Sequence, residues 1–245
     1  MTPDDITRYA RHLVLREIGG PGQRALLDSH VVIVGAGGLG GPAGLYLAAA
    51  GIGHITVIDD DVVEASNLQR QVQFIHTDIG MGKAEVMADT LGNLNPGIKV
   101  IAGDLRLKTD NARELLKNHD VILDGTDSFE TRFDTNGAAL ALGIPLVSGA
   151  LGRFDGQVGV YPSDGHGPCY RCLVPHIPPR GETCSEVGIV GALAGIVGSL
   201  MALETIKLIT GAGESLSGKL WLFDGLCAGA RTVTLQKDPD CPACS

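Results

Sequence analysis

The sequence predicts an α/β protein: a doubly wound, mostly parallel sheet, extended by antiparallel strands and pinned by a structural zinc site. Three observations predict it. Short β-branched runs alternate with helical stretches over roughly the first 150 residues, as in βαβ units. A glycine-rich turn joins the first strand to a helix, and two C-x-x-C pairs mark the second half. At 245 residues the chain is long enough for a large core. It is 44% hydrophobic and 19% charged, ordinary for a globular protein, and its formal charge of −9 argues against a nucleic-acid-binding surface.

Residues 5–17 read as an amphipathic helix ended by Gly19-Gly20-Pro21-Gly22. A strand over 31–34 leads into Gly35-Ala36-Gly37-Gly38-Leu39-Gly40, and an alanine-rich helix over 42–50 follows. That strand–turn–helix context lifts G-x-G-x-x-G above a chance match. Gly35, Gly37, Gly38 and Gly40 let backbone approach phosphate, and the helix start offers free N–H groups. A strand over 54–58 ends at Asp59, placed to accept hydrogen bonds from a ribose. The turn alone does not separate NAD from ATP, and a plain packing turn is the competing reading. Asn67, Arg70, Gln71 and Lys83 follow closely, and together they suggest a site that works on ATP phosphates.

Further on, 83–94 reads as a helix stopped by Asn95-Pro96-Gly97, then 98–102 as a strand and 112–117 as helix. A buried strand over 121–123 enters the polar turn Asp124-Gly125-Thr126-Asp127, before a helix over 132–142 and a strand over 144–149. Ligands of open α/β sheets sit outside the carboxyl ends of strands, so Asp127 is placed to hold Mg²⁺ on a triphosphate. The competing reading makes Asp124 or Asp127 the cap of the next helix. Beyond Gly152 the texture changes, and 157–161, 219–223 and 231–235 read as added antiparallel strands. The uncharged stretch 187–203 is 17 residues long, short of the ~20 needed to span a bilayer, and reads as a buried helix. Its Gly191, Gly195 and Gly198 suit close packing. The N-terminus has no apolar signal core, so a cytoplasmic protein is expected, with no membrane partner.

Cys169-Tyr170-Arg171-Cys172 and Cys241-Pro242-Ala243-Cys244 carry four thiols in two close pairs, the donor set of a closed tetrahedral Zn²⁺ site. Redox dithiols or a disulfide pair are the weaker readings without a secretory context. Cys227 reads as a small packed residue. Cys184, near the start of the apolar helix, is either an activated thiol or a buried one, and spacing does not choose.

In order, these motifs carry a family resemblance: RYARHLVLREIGGPGQ at 8–23, GAGGLGGP at 35–42, NLQRQ at 67–71, GMGKAE at 80–85, DGTDSFETR at 124–132, GETCSEVG at 181–188 and both cysteine knuckles. The chain resembles the ubiquitin-activating (E1)-like adenylyltransferases of bacteria, the HesA/MoeB/ThiF group that activates molybdopterin-synthase and thiamine sulfur carriers. The resemblance covers nearly the whole chain and implies a Rossmann-like adenylation domain over 1–245. About 1–150 would bind nucleotide, and about 151–245 would hold the carrier, a crossover loop and zinc. It implies ATP-dependent adenylation of the C-terminal Gly-Gly carboxylate of a ubiquitin-like sulfur carrier. Asp59 would then hold the ribose, Asn67, Arg70 and Lys83 the phosphates, and Asp127 the Mg²⁺, while Arg11 would reach across a homodimer. Cys184 links covalently to the carrier in some members and not in others. With no sulfurtransferase domain after Ser245, a separate sulfurtransferase or cysteine desulfurase is expected as sulfur donor. Two positions depart from the pattern: Gly41 where serine is usual, and Ser128 where asparagine is usual. Two other classes compete. A tRNA-modifying relative of dehydratase type would activate a nucleoside carboxyl, and an NAD-dependent oxidoreductase would leave Arg70 and Lys83 without a role.

Overall fold

The computed structural model describes residues 1–177 and 188–245. Its helices are α1 (Pro3–Arg8), α2 (Ala10–Leu13), α3 (Gly19–Asp28), α4 (Gly40–Ala50), α5 (Lys83–Leu94), α6 (Ala112–Leu116), α7 (Phe129–Leu142), α8 (Tyr170–Leu173) and α9 (Gly191–Thr210). Its strands are β1 (His30–Val34), β2 (His54–Ile58), β3 (Lys99–Gly103), β4 (Val121–Asp124), β5 (Leu146–Leu151), β6 (Asp155–Tyr161), β7 (Lys219–Asp224) and β8 (Gly229–Thr234). Among the described residues they form one sheet in the order β3-β2-β1-β4-β5-β6-β7-β8. The first five are parallel, and β6, β7 and β8 add antiparallel, as the change of texture after Gly152 predicts.

β1 explains the layering. Val31 and Ile33 face a core with Leu47, Met87, Leu91, Val197 and Met201, from α4, α5 and α9. Val32 and Val34 face a second core with Leu116, Ala139 and Tyr170, from α6, α7 and α8. A strand buried on both faces has no polar position to alternate with, hence the unbroken VVIV run. Strand order reverses between β1 and β4, and a doubly wound sheet opens its ligand crevice at that point, beyond the strand ends.

Two expectations change. The predicted helix over 5–17 is two short ones broken at Tyr9, and Gly19-Gly20-Pro21-Gly22 opens α3 rather than stopping a helix. Pro21 sits in the first turn, where a missing N–H costs nothing, and a Cβ on Gly22 would lie 3.0 Å from Ile18. Cys227 is exposed in the β7–β8 turn instead of packed. By length and composition alone α9 passes for a membrane span, yet Leu193, Ala194, Val197 and Met201 are buried against the sheet and α4. Gly198 and Gly191 make the close approaches expected of them, while Gly195 faces open space.

Candidate functional site

β1 runs straight into the glycine turn. Gly35 takes φ +93°, a left-handed value that favours glycine, and a Cβ on Gly40 would lie 1.8 Å from the Gly35 carbonyl oxygen. The turn can therefore fold back on the strand end and start α4 there. From β2, Asp59 receives the Ala36 N–H at 2.7 Å through Oδ2 and the Asp61 N–H at 2.9 Å through Oδ1. Burial raises the Asp59 carboxyl above its ordinary 3.8, and those two N–H donors partly offset it. From β4, the Gly125 N–H donates to the Val34 carbonyl at 2.9 Å. A Cβ on Gly35 would lie 3.1 Å from Thr126 N, so the turn holding Asp127 rests against the glycine turn.

The segment between β2 and α5 closes over this junction. Val63 N–H donates to Met81 O and Gly80 N–H to Val63 O, both at 2.9 Å, which clamps the loop's two ends together. Lys83 opens α5, and its buried Nζ donates to Asp61 Oδ2 at 2.8 Å. Asn67 is buried and holds the loop through Oδ1, which accepts from Glu64 N–H at 3.2 Å. Its carbonyl receives the N–H groups of Arg70 at 3.0 Å and Gln71 at 2.9 Å. Arg70 Nη1 donates to Ser66 O at 3.0 Å, and its Cγ lies 3.8 Å from where a Cβ on Gly38 would be. Gln71 is buried, with Nε2 3.6 Å from the corresponding point on Gly37 and Oε1 without a partner among the described residues. A buried, unpaired amide oxygen beside a glycine turn is a group suited to a ligand.

On the β4 side, Asp124 is fully buried and accepts from Thr126 N–H at 3.0 Å, Thr126 Oγ1 at 2.7 Å and Ser148 Oγ at 3.3 Å. Beneath it Arg132 donates to the carbonyls of Thr126 and Gly149, the latter at 2.8 Å. Burial opposes the Arg132 charge most strongly, and the Asp124 carboxylate together with Tyr170 and Tyr161 outweighs it, so the guanidinium stays protonated. Neither aspartate caps α7, contrary to the competing reading. Ser128 does, receiving Thr131 N–H at 3.3 Å, which accounts for serine at this position. Asp127 is left exposed, beside the glycine turn, with no hydrogen bond to its carboxylate among the described residues. One hard, unpaired oxygen donor in the turn beside the glycine turn fits Mg²⁺, which takes one or two carboxylates and fills the rest with phosphate and water.

The cysteine knuckles meet as their spacing predicts. Cys169 Sγ lies 3.6 Å from Cys241 Sγ and Cys172 Sγ 3.5 Å from Cys244 Sγ, all four within 4.8 Å of one another. Such separations exceed a disulfide's ~2.05 Å and approach the ~3.8 Å edge of a ZnS₄ tetrahedron. The set fits zinc. Burial, then the neighbouring thiols Cys169, Cys172 and Cys241, push Cys244 well above its ordinary value, so full ionisation calls for a cation. Asn136 of α7 supports the knuckle, donating to Cys169 Sγ at 3.7 Å and accepting from Tyr170 N–H at 2.9 Å.

A family model described as the ThiF family matches residues 9–243. The chain belongs to the ThiF family. It is 45% identical over 249 residues to the sulfur carrier protein adenylyltransferase of Thermus thermophilus, covering 99% of this chain and 92% of that one. It is 45% identical over 241 residues to the SAMP-activating enzyme E1 of Haloferax volcanii, covering 98% and 88%. Against the probable adenylyltransferase/sulfurtransferase MoeZ of Mycobacterium tuberculosis it is 46% identical over 247 residues but spans only 63% of that protein. Among solved structures, Escherichia coli MccB with ATP superposes with a TM-score of 0.84 at 24% identity, over 97% of this chain and 73% of that one, a likeness of fold.

The structure therefore brings Gly35, Gly37, Gly38, Gly40, Asp59, Arg70 and Gln71 together at the glycine turn, with Asn67 and Lys83 in the segment that closes over it and Asp127 in the adjoining β4 turn. It does not bring Arg11 there. That side chain is exposed on α2, whose His12 binds Gln23, which donates to Ala50 O at the far end of α4. Eleven helical residues put that end about 16 Å from the glycine turn. Cys184 and most of the 181–188 motif lie outside the described residues. Sequence reading passed over Asp61, Arg132 and Gln73. Arg132 is in a quoted motif and Asp61 beside Asp59, whereas Gln73 carries no motif signal. A hollow of about 680 Å³ lies away from the glycine turn, along Ala150, Gly152, Gln157, Phe223 and Arg231. It begins at the carboxyl end of β5 and crosses the antiparallel strands.

Proposed function

We propose that this protein is an adenylyltransferase that uses ATP to activate the C-terminal Gly-Gly carboxylate of a ubiquitin-like sulfur carrier, for sulfur transfer in molybdopterin or thiamine biosynthesis. The observation that carries it is a glycine turn ringed by Arg70, Lys83, Gln71 and Asp127 at the sheet's switch point. It occurs in a chain 45% identical to a sulfur carrier protein adenylyltransferase over almost its whole length.

A carboxylate oxygen of the carrier attacks the α-phosphorus, the bond to the bridging oxygen breaks, and pyrophosphate leaves with the electron pair. An acyl-adenylate remains. No general base is required, since the nucleophile is already an anion. The barrier lies in bringing it onto a polyanion, so fixed cations and aligned N–H groups are the means of catalysis. Asp59 holds the ribose, the turn's N–H groups and Asn67 orient the phosphates, and Arg70 and Lys83 offset developing charge on the leaving group. Asp127 would hold Mg²⁺, which supplies further charge neutralisation when bound.

The nucleotide half is 1–150. In the second half, the hollow across β5 to β8 opens on the same strand edge and suits a carrier whose tail runs into the crevice. A homodimer is supported by the exposed apolar side chains of Tyr46, Ile196 and Leu203 on α4 and α9, beside a groove of about 290 Å³ that includes His12. Its neighbour Arg11, out of reach of its own crevice, would enter the partner's. A separate sulfur donor and a cytoplasmic location complete the proposal.

The test is ATP–pyrophosphate exchange with Mg²⁺, adding ubiquitin-like carriers singly. Exchange should require one carrier and vanish when its last glycine is removed. Carrier-independent silence combined with tRNA-stimulated ATP hydrolysis would instead support the nucleoside-modifying reading.

A further inference from the structure

Gln73 sits in the turn that follows Arg70 and Gln71, 5% exposed, with its amide pushed under the glycine turn. Nε2 donates to Ala36 O at 2.6 Å and Gly37 O at 3.2 Å. The amide orientation follows from these partners, since a flip would set its oxygen against two carbonyl oxygens. Oε1 is buried and unpartnered among the described residues. The space it fills exists because residue 41 is glycine. A Cβ there would lie 2.1 Å from Oε1, 2.3 Å from Cδ and 2.5 Å from Nε2, inside the amide itself. Any side chain at 41 would therefore displace that of Gln73.

A planar trans peptide points its C=O and the following N–H to opposite sides. By drawing the Ala36 and Gly37 carbonyls inward, Gln73 turns the N–H groups of Gly37 and Gly38 outward. No described residue accepts a hydrogen bond from either. Glycines at 37 and 38 leave these peptide planes little intrinsic preference, so an external hold is needed. A flipped plane would present an oxygen, not an N–H, to a phosphate.

We propose that Gln73 is a positioning residue that fixes the phosphate-facing peptides of the glycine turn, and that Gly41 is its obligatory partner because it makes room for the amide. This rests on the proposed ATP chemistry and deepens it. It also accounts for glycine at 41: the donor under the turn comes from the 71–74 turn instead of from the helix. A serine hydroxyl at 41 lies one helical turn after Gly37 and can donate to that same carbonyl, provided the Gln73 amide is removed.

The test uses the full chain with direct ATP titration and carrier-dependent pyrophosphate exchange on four variants: Gln73→Leu, Gln73→Ala, Gly41→Ser and Gly41→Ser/Gln73→Ala. Gln73→Leu should weaken ATP binding and raise its KM roughly tenfold to a hundredfold, the effect of one or two misaimed charge-assisted bonds. Its kcat at saturating ATP and its KM for carrier should stay within about threefold of the parent. Gly41→Ser should be impaired similarly, and the double variant should bind ATP at least about tenfold tighter than Gly41→Ser alone. A Gln73→Leu protein that binds ATP within about twofold of the parent overturns the proposal, as does a double variant no better than Gly41→Ser. If Gln73→Leu does not fold, the Gly41→Ser comparison decides. A parent that does not bind ATP at all would overturn the adenylation reading as well, whereas a parent that binds and a Gln73→Leu that matches it overturn only this one.

Discussion

Replacing Lys83 by methionine separates two roles that its position allows. Its Nζ is 2.8 Å from Asp61 Oδ2, with the lysine side chain 8% exposed and the aspartate 68% exposed. If the pair is only a structural pin, its loss is that of an ion pair with one partner in water, about 0–1 kcal/mol. Methionine keeps most of the buried stem, so no cavity opens, and Asp61 is left solvated. For a chain of 245 residues that amounts to a fall in Tm of roughly 2–4 °C at most. If Lys83 also offsets charge on the departing pyrophosphate, its removal should cost about 10²- to 10³-fold in kcat, or roughly 3–4 kcal/mol of transition-state stabilisation. Loss of its charge also leaves the clustered Asp59, Asp60 and Asp61 carboxylates without the cation that pairs with Asp61. The assay pairs a thermal melt with pyrophosphate exchange at saturating ATP and carrier. Exchange within about threefold of the parent would refute the catalytic role of Lys83, whatever the melt shows.

Other outcomes follow from the same geometry. A Cβ on Gly198 would lie 2.6 Å from Leu39 O, whereas one on Gly195 meets nothing within 4 Å. Gly198→Ala should therefore destabilise by about 1–3 kcal/mol and weaken ATP binding, while Gly195→Ala should be neutral or stabilising by up to ~1 kcal/mol, as denaturant titration would measure. The proposed ribose contact needs ionised Asp59, whose carboxyl burial raises above 3.8. ATP binding should then strengthen as pH rises through that raised value and weaken below it, a step that calorimetry should find missing in Asp59→Asn. Zinc analysis should find one ion per chain. Its removal should free the tail to proteases and lower Tm on the order of 10 °C, since Cys169 and Cys241 close a loop spanning 72 residues.

Much of this molecule is written locally. The strand over 54–58 and the helix over 83–94 have the limits their patterns predict, because Asp59 and Asn95-Pro96-Gly97 end them within the same few residues. The zinc ligands are legible for a different reason, since two C-x-x-C pairs leave few other chemistries outside an oxidising compartment. Gly19 to Gly22 misled because glycine and proline punctuate helices at either end, and only packing against Ile18 and Thr210 reveals a start. Asp124 and Asp127 were distinguishable only in the fold, where Asp124 is buried with Ser148 of β5 and the Arg132 charge nearby and Asp127 is left exposed. Gln73 was invisible because its function depends on carbonyls 36 and 37 positions earlier and on an absent side chain at 41.

The central claim is that the crevice joins AMP to a carrier's terminal carboxylate. Mass spectrometry of the carrier after incubation with this protein, ATP and Mg²⁺, with hydroxylamine added to trap activated carboxyl groups, tests it directly. The account predicts AMP on the terminal glycine, converted to a hydroxamate there by hydroxylamine, with both products formed about 10²- to 10³-fold more slowly by Lys83→Met and neither formed on a carrier lacking its last glycine. ATP consumption with an unmodified carrier C-terminus, for every carrier tried, would contradict it.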